Sequence, residues 1–121
     1  MIRSVDKHSG VPAYLQIMNT IKKEILLGHY QRKDQLPPVR ELAQLFGVNM
    51  NTVMRSLEKL ANEGLIESEH GVGYFIRDVP DVDLKTIQLL QQTISLLKKQ
   101  GVKLPMVLLL LEELWKEADV S

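Results

Sequence analysis

The stretch LPPVRELAQLFGVNMNTVMRSLEKLANEGLIESEHGVGYFI, residues 36–76, decides the fold. Its segment VRELAQLF, residues 39–46, places the apolar side chains on one face of a short helix, which Gly47 ends. Asn49 can cap the next helix, which runs to about residue 62. Two short helices joined by a tight, glycine-containing turn are typical of a helix-turn-helix.

The residues after these two helices change their hydrophobic period. LIESE, residues 65–69, and YFIR, residues 74–77, each predict a β-strand. HGVG, residues 70–73, predicts the turn between them, because glycine adopts a positive φ at little cost. A β-hairpin directly after a helix-turn-helix is a wing, so the sequence predicts a winged helix-turn-helix.

The flanking sequence predicts one more helix before this stretch and two after it. Residues 13–27 repeat their apolar side chains at steps of three and four, and residues 29–38 read as a polar connection. Pro80 and the aspartates at 78, 81 and 83 mark a boundary, after which helices are expected from residue 84 to Gly101 and over residues 106–118. We therefore predict a mainly α fold with a small β-hairpin, organised as a winged helix-turn-helix domain (1–77) and a two-helix tail (78–121).

The tail is more apolar than two short helices can bury by themselves. The apolar stripe could pack inside the monomer, but we favour a homodimer, in which a partner covers it and two recognition helices are presented. The predicted dimerisation residues are Leu84, Ile87, Leu90, Ile94, Leu97, Leu108, Leu111 and Trp115.

Composition argues against several classes of protein. The absence of cysteine excludes disulfides, thiolate metal sites and cysteine nucleophiles. The longest apolar run, residues 106–111, is too short to span a bilayer, and the N-terminal residues do not resemble a signal peptide, so we expect a cytoplasmic protein with no membrane contact. Since no catalytic, metal-binding or nucleotide-binding pattern is present, we expect no enzymatic activity, no cofactor and no metal.

The start of the third helix carries side chains that suit DNA recognition. A recognition helix projects short polar groups and arginines from its first turns into the major groove. Asn49, Asn51, Thr52 and Arg55 form such a set, since asparagine can pair with adenine, and arginine can bind guanine or phosphate. Arg40 lies at the start of the preceding helix, where the chain approaches the DNA backbone.

The same segment resembles the DNA-binding domain of the GntR family. The resemblance is carried by the opening LPxxRELA (36–43), the turn VNxNTV (48–53), the step EGLI (63–66) and the wing glycines at 71 and 73. The short tail resembles the YtrA-type subfamily, whose tail mainly dimerises. This resemblance implies DNA contacts at Arg40, Asn49, Asn51, Thr52, His70 and Gly71, and helix position adds Arg55.

The chain departs from the family pattern at several positions. Met50 stands where arginine or proline is common, and residues 32–33, Arg-Lys, replace a usual proline-glycine pair. Glu67 and Glu69 flank the wing where basic residues often lie, and carboxylates repel phosphate. His70 offsets this repulsion when it is protonated.

We interpret the sequence as that of a sequence-specific DNA-binding transcription regulator. By resemblance it is a repressor, which binds a pseudo-palindromic operator as a homodimer through helix 49–62 in the major groove and wing 70–74; the sequence does not indicate an effector. The alternative is a winged helix that contacts another protein, which the formal net charge of zero and the acidic wing flank support. Locally, Arg40 could merely pair with Glu41 or Glu58, and Asn49 could be a cap alone.

Overall fold

The structure, a computed structural model, describes residues 2–79 and 82–118, so Pro80 and Asp81 of the predicted boundary lie outside the described residues. The chain divides into two compact units, Met1–Asp81 and Val82–Ser121. The elements of the first are α1 (Ala13–Leu26), α2 (Val39–Phe46), α3 (Met50–Asn62), β1 (Ile66–Glu69) and β2 (Gly73–Ile76). Those of the second are α4 (Leu84–Lys99) and α5 (Leu104–Glu117). The predicted fold class, mainly α with one hairpin, is confirmed.

One apolar core holds the first unit together. The i, i+4 spacing of Ile17, Ile21 and Ile25 buries one face of α1. Ile66 and Ile76, which lie opposite each other in the hairpin, are both buried, so the base of the wing is part of the same core. The buried apolar set is Ile17, Met18, Ile21, Ile25, Leu36, Leu42, Ala43, Phe46, Val53, Leu57, Leu60, Ile66 and Ile76.

The turn between α2 and α3 has the local geometry that the sequence predicts. Gly47 ends α2 in the left-handed region, with φ 69°. Asn49 caps α3, since its side-chain oxygen accepts a hydrogen bond from the backbone N–H of Thr52 at 2.9 Å. These two signals are enough to end one helix and begin the next within three residues.

The wing is a two-stranded antiparallel hairpin in which Glu69 lies opposite Gly73. Its strands begin at Ile66 and end at Ile76, one residue inside the predicted limits on each outer side. Gln35 forms an isolated bridge with Phe75, and the backbone N–H of Leu36 donates to the carbonyl of Tyr74 at 2.9 Å. The end of the predicted polar connection therefore runs beside β2 and protects its outer edge.

The second unit contains α4 and α5. The carboxylate of Asp83 caps α4, and hydrogen bonds from the backbone and hydroxyl of Thr86 hold the pKa of Asp83 below its ordinary value. α5 begins at Leu104, two residues before the predicted start, with Pro105 in its first turn, where a missing N–H costs nothing. Neither helix contains a buried residue. Over residues 2–79 and 82–118, no helix is long and apolar enough to cross a membrane.

Candidate nucleic-acid interface

α3 buries one face and exposes the other. Val53, Leu57 and Leu60 are completely buried against the core, whereas Asn51 and Arg55 are exposed. The buried face fixes the rotation of the helix about its axis, so the polar side chains of its first two turns point outward. A recognition helix presents its N-terminal turns to the major groove in this way.

Asn49 and Thr52 are joined by two hydrogen bonds. The Oδ1 atom of Asn49 accepts from the backbone N–H of Thr52 at 2.9 Å and from its hydroxyl at 3.0 Å. The cap interpretation of Asn49 is therefore confirmed, and its acceptor is already engaged. Because a bidentate contact with adenine needs both the acceptor and the donor of the amide, Asn49 retains just its Nδ2 donor for a DNA contact.

Asn51 has a different environment. Its side chain is exposed, and no hydrogen bond to it is found among the described residues. Both the donor and the acceptor of its amide remain available. Of the two asparagines predicted to contact DNA, Asn51 is thus the one whose side chain can pair with adenine through two hydrogen bonds.

Arg55 is supported by a residue that the sequence analysis did not connect with it. Its guanidinium carbon lies 4.2 Å from the centroid of the Tyr14 ring, and the Nζ atom of Lys59 lies 5.3 Å from the same centroid. The buried hydroxyl of Ser56 has one hydrogen to donate, and the carbonyl oxygens of Thr52 and Tyr14 both lie within hydrogen-bond distance of it, at 2.9 and 3.1 Å. The first turn of α1 therefore packs against the middle of α3, where the Tyr14 ring makes cation–π contacts with Arg55 and Lys59.

Arg40 lies in the first turn of α2 and is exposed. The ion pairs found in the described part of the chain are Lys22–Glu63 and Arg32–Asp78, and His29 is hydrogen-bonded to Glu24; none of these contacts involves Arg40. The alternative in which Arg40 pairs with Glu41 or Glu58 is therefore not observed. Its guanidinium is available to an anion, as contact with a phosphate requires.

The wing tip contains His70 and Gly71, which are both exposed. Gly71 and Gly73 have φ of 77° and 140°, values that favour glycine. The side-chain amide of Gln35 donates to the carbonyl of Val72 at 3.0 Å, and a Cβ atom on Gly73 would lie 3.0 Å from that same nitrogen. Gln35, which the sequence analysis missed, therefore holds the wing tip in place.

The predicted DNA contacts thus all lie in the first unit on accessible surface, with Thr52 half-buried and the others exposed. They belong to three consecutive structural features: the start of α2, the start of α3 and the wing tip. Glu67 and Glu69 are also exposed, on β1. The wing therefore carries two carboxylates beside the tip that holds His70.

The predicted dimerisation residues lie in the second unit and are accessible in the single chain. Ile87 and Leu97 are half-buried, and the exposed members are Leu84, Leu90, Ile94, Leu108, Leu111 and Trp115. Six further leucines of these two helices, outside the predicted set, are exposed as well, at positions 89, 96, 104, 109, 110 and 114. The alternative in which the stripe is buried inside the monomer is therefore not observed among the described residues.

The model of the family described as "Bacterial regulatory proteins, gntR family" matches residues 13–76, which is more than half of the chain. The chain belongs to the GntR family. The match begins at the first residue of α1 and ends at the last residue of β2, so it covers the helix-turn-helix and the wing.

Three curated relatives show which regulators this GntR-family chain resembles. The probable rhizopine catabolism regulatory protein MocR of Rhizobium meliloti is 36% identical over 76 residues. The HTH-type transcriptional repressors NagR and YtrA of Bacillus subtilis are 40% identical over 73 residues and 39% identical over 74 residues. These alignments cover 60–63% of this chain but 15% of MocR, 30% of NagR and 57% of YtrA. The three relatives are named as regulators and not as enzymes.

Solved structures of similar fold cover more of the chain. A transcriptional antiterminator from Listeria monocytogenes EGD-e superposes with a TM-score of 0.63 and 28% identity, covering 100% of this chain and 97% of that one. YtrA from Sulfolobus acidocaldarius, a GntR-family transcription factor, superposes with a TM-score of 0.59 and 30% sequence identity. That superposition covers 79% of this chain and 98% of the other. The resemblance to YtrA-type members is thereby confirmed.

Solved structures of similar fold include complexes with DNA. The DNA-binding domain of AraR in complex with operator ORX1 gives a TM-score of 0.55 and 28% identity, covering 63% of this chain and 92% of that one. The winged helix-turn-helix of this GntR-family chain is thus similar to a domain that binds an operator.

Proposed function

We propose that this chain is a cytoplasmic transcriptional repressor that binds a pseudo-palindromic DNA operator as a homodimer. In this proposal residues 1–77 bind DNA and residues 78–121 dimerise. α3 enters the major groove, and the wing tip at residues 70–74 lies against the sugar–phosphate backbone.

The observation that carries the proposal is the accessible polar surface on the first two turns of α3. Asn51 and Arg55 lie on this surface. The buried Val53 and Leu57 on the opposite face fix the rotation of α3 about its axis. A major groove about 12 Å wide admits one α-helix, and base edges are then within reach of its N-terminal side chains. The free amide of Asn51 supplies base discrimination, whereas Arg55 supplies charge.

Arg40 supports the same orientation from α2. Its guanidinium has no ion-pair partner among the described residues and suits a phosphate, which fixes the register of the protein on the duplex without reading sequence. The Nδ2 donor of Asn49 can serve another phosphate from the start of α3, where the unpaired backbone N–H groups of a helix also favour an anion. The wing contributes less charge, since Glu67 and Glu69 lie beside its tip.

The dimer is supported by the apolar surface of α4 and α5. Side chains as large as Trp115 and Leu84 are 79% and 67% exposed in the single chain. A soluble monomer rarely exposes a contiguous apolar surface of this kind, whereas a two-fold dimer covers it on both chains. Two recognition helices then face half-sites about 34 Å apart, and occupation of the operator blocks access of polymerase.

Selection of duplexes from a random library with the full chain tests the proposal. We expect recovery of a pseudo-palindromic site, footprints one helical turn apart, and affinity that falls steeply between 50 and 200 mM salt because counterions are released from phosphates. Recovery of no specific duplex would reject the proposal and favour a winged helix that contacts proteins. A second measurement, repression of a reporter that carries the selected site, separates a repressor from an activator.

A further inference from the structure

Two methionines are exposed on the first two turns of α3. Met50 is 43% and Met54 is 42% exposed, and neither belongs to the apolar core. Since residues four apart lie on the same side of a helix, the two thioether side chains are neighbours. Single exposed apolar residues are common, but a pair at the start of a recognition helix occupies surface that must meet DNA.

The methionines are continuous with the polar residues of the proposed interface. Met50, Asn51, Met54 and Arg55 are all exposed, and we refer to these four residues as the recognition surface. At 100° per residue, Asn51 and Arg55 lie on one side of this surface and the methionines on the other. A groove that receives Asn51 therefore also receives the methionines.

The chemistry of a thioether restricts what a methionine can recognise there. Its sulfur donates no hydrogen bond and accepts only weakly, so it does not read the polar base edges. The apolar group that the major groove displays is the C5-methyl group of thymine. A G·C pair would place polar edges against the two side chains and leave them without partners, which is unfavourable.

We infer that Met50 and Met54 are specificity-determining residues that contact thymine methyl groups in the operator half-site. This inference rests on the proposed function, and it names the base pairs that the recognition surface reads. Asn51 pairs with an adenine, and the methionines require thymine at one or two neighbouring positions. The half-site is therefore rich in A·T pairs where α3 enters the groove.

Replacement of single thymines by deoxyuridine in the selected duplex tests this inference, because it removes the methyl group and leaves the base pairing intact. For the full-length protein we expect each contacted methyl to contribute about fourfold to affinity, equivalent to about 0.8 kcal/mol. In Met50→Gln and Met54→Gln, whose side chains have similar length and a polar end, the penalty at the contacted position should disappear.

Leu27→Gln is the matched control, because Leu27 is 55% exposed at the opposite end of α1 from Tyr14, and the variant should keep the full deoxyuridine penalty. The ratio of affinities is taken within each variant, so a partly unfolded preparation does not change it. A specific duplex without any deoxyuridine penalty, or a penalty that persists in both methionine variants, would overturn the inference and leave the proposed function standing. Recovery of no specific duplex would overturn both.

Discussion

The guanidinium of Arg55 lies over the ring of Tyr14, with its carbon 4.2 Å from the ring centroid. This contact holds a positively charged side chain of α3 against an aromatic ring of α1. An arginine held in this way loses less side-chain freedom when it contacts a phosphate. We predict that Tyr14→Leu lowers DNA affinity about two- to fivefold on every sequence, since an exposed cation–π contact is worth about 0.5–1 kcal/mol.

Mobility-shift titrations at one salt concentration would measure this effect. Tyr14→Phe is the control, because it keeps the ring and should bind within about twofold of the original chain. Thermal unfolding of each variant shows whether α1 still packs on the core. If Tyr14→Leu weakened binding equally in an Arg55→Ala background, the two residues would not be coupled. The cation–π contact between them would then contribute nothing to DNA binding.

Asn49 caps α3 and is also proposed to contact DNA, and two substitutions separate these roles. Asn49→Ala removes the cap from the N–H of Thr52, so we predict a loss of about 1 kcal/mol in the free energy of unfolding, measured by urea denaturation. Asn49→Ser retains a capping oxygen and should unfold like the original chain. Equal stability of all three proteins would show that the cap contributes nothing.

Asn49→Ser also removes the Nδ2 donor without disturbing the helix. We predict a two- to tenfold loss of DNA affinity for this variant, the contribution of one hydrogen bond of about 0.5–1.5 kcal/mol. Binding by Asn49→Ser that matches the original chain would show that Asn49 acts as a cap alone.

Local signals made the helix-turn-helix predictable. The left-handed Gly47 and the capping Asn49 act on neighbouring backbone groups, so their effect can be read from adjacent residues. The exposed, polar start of α3 follows from the same period that buries Val53 and Leu57. These residues decide both the fold and most of the predicted interface.

Contacts between distant segments were not predictable in the same way. Ser56 bonds to the carbonyl of Tyr14 across 42 positions, and Gln35 bonds to the carbonyl of Val72 across 37. Neither pair leaves a periodic pattern, because each partner is compatible with many neighbours. The support of Arg55 and of the wing tip therefore appears in the structure alone.

Arg40 offers a test of sequence-independent binding. Since it has no ion-pair partner among the described residues, Arg40→Ala should leave thermal stability unchanged. We predict weaker binding to specific and random duplexes alike, with the slope of log affinity against log salt reduced by about 0.9. An unchanged salt slope would show that Arg40 does not neutralise a phosphate.

Asn51 offers the complementary test of base reading. We predict that Asn51→Ala relaxes the preference at one base pair of the selected site, where a bidentate contact contributes about 1–3 kcal/mol of discrimination. Asn62→Ala is the matched control at the far end of α3, where the exposed side chain lies beyond the turns that read bases. Repeating the selection with each variant measures the change. Retained preference in Asn51→Ala would assign base reading elsewhere.

Lys33 has φ 75°, the one positive value among the described non-glycine residues. It replaces the glycine of the proline-glycine pair that is usual in the GntR family pattern. An L-residue pays about 1 kcal/mol in this conformation. Lys33→Gly relieves it, and part of the gain is offset by the greater freedom of glycine in the unfolded chain. We predict a net gain of about 0.5 kcal/mol in the free energy of unfolding, measured by urea denaturation. Gln31→Gly in the same loop, where φ is negative, should instead destabilise the protein.

The tail gives the most direct test of the proposed dimer. Leu111 is 51% exposed on α5, and burying a leucine contributes about 1.5–3 kcal/mol. Leu111→Glu removes this contribution and places a carboxylate in the interface, so we predict that it weakens the dimer at least tenfold. Light scattering at micromolar concentration should give twice the 13.8 kDa chain mass for the original protein and the single mass for the variant. Glu113→Lys, which changes charge on the other side of α5, should remain a dimer. An original chain that is monomeric at this concentration would contradict the proposed dimer.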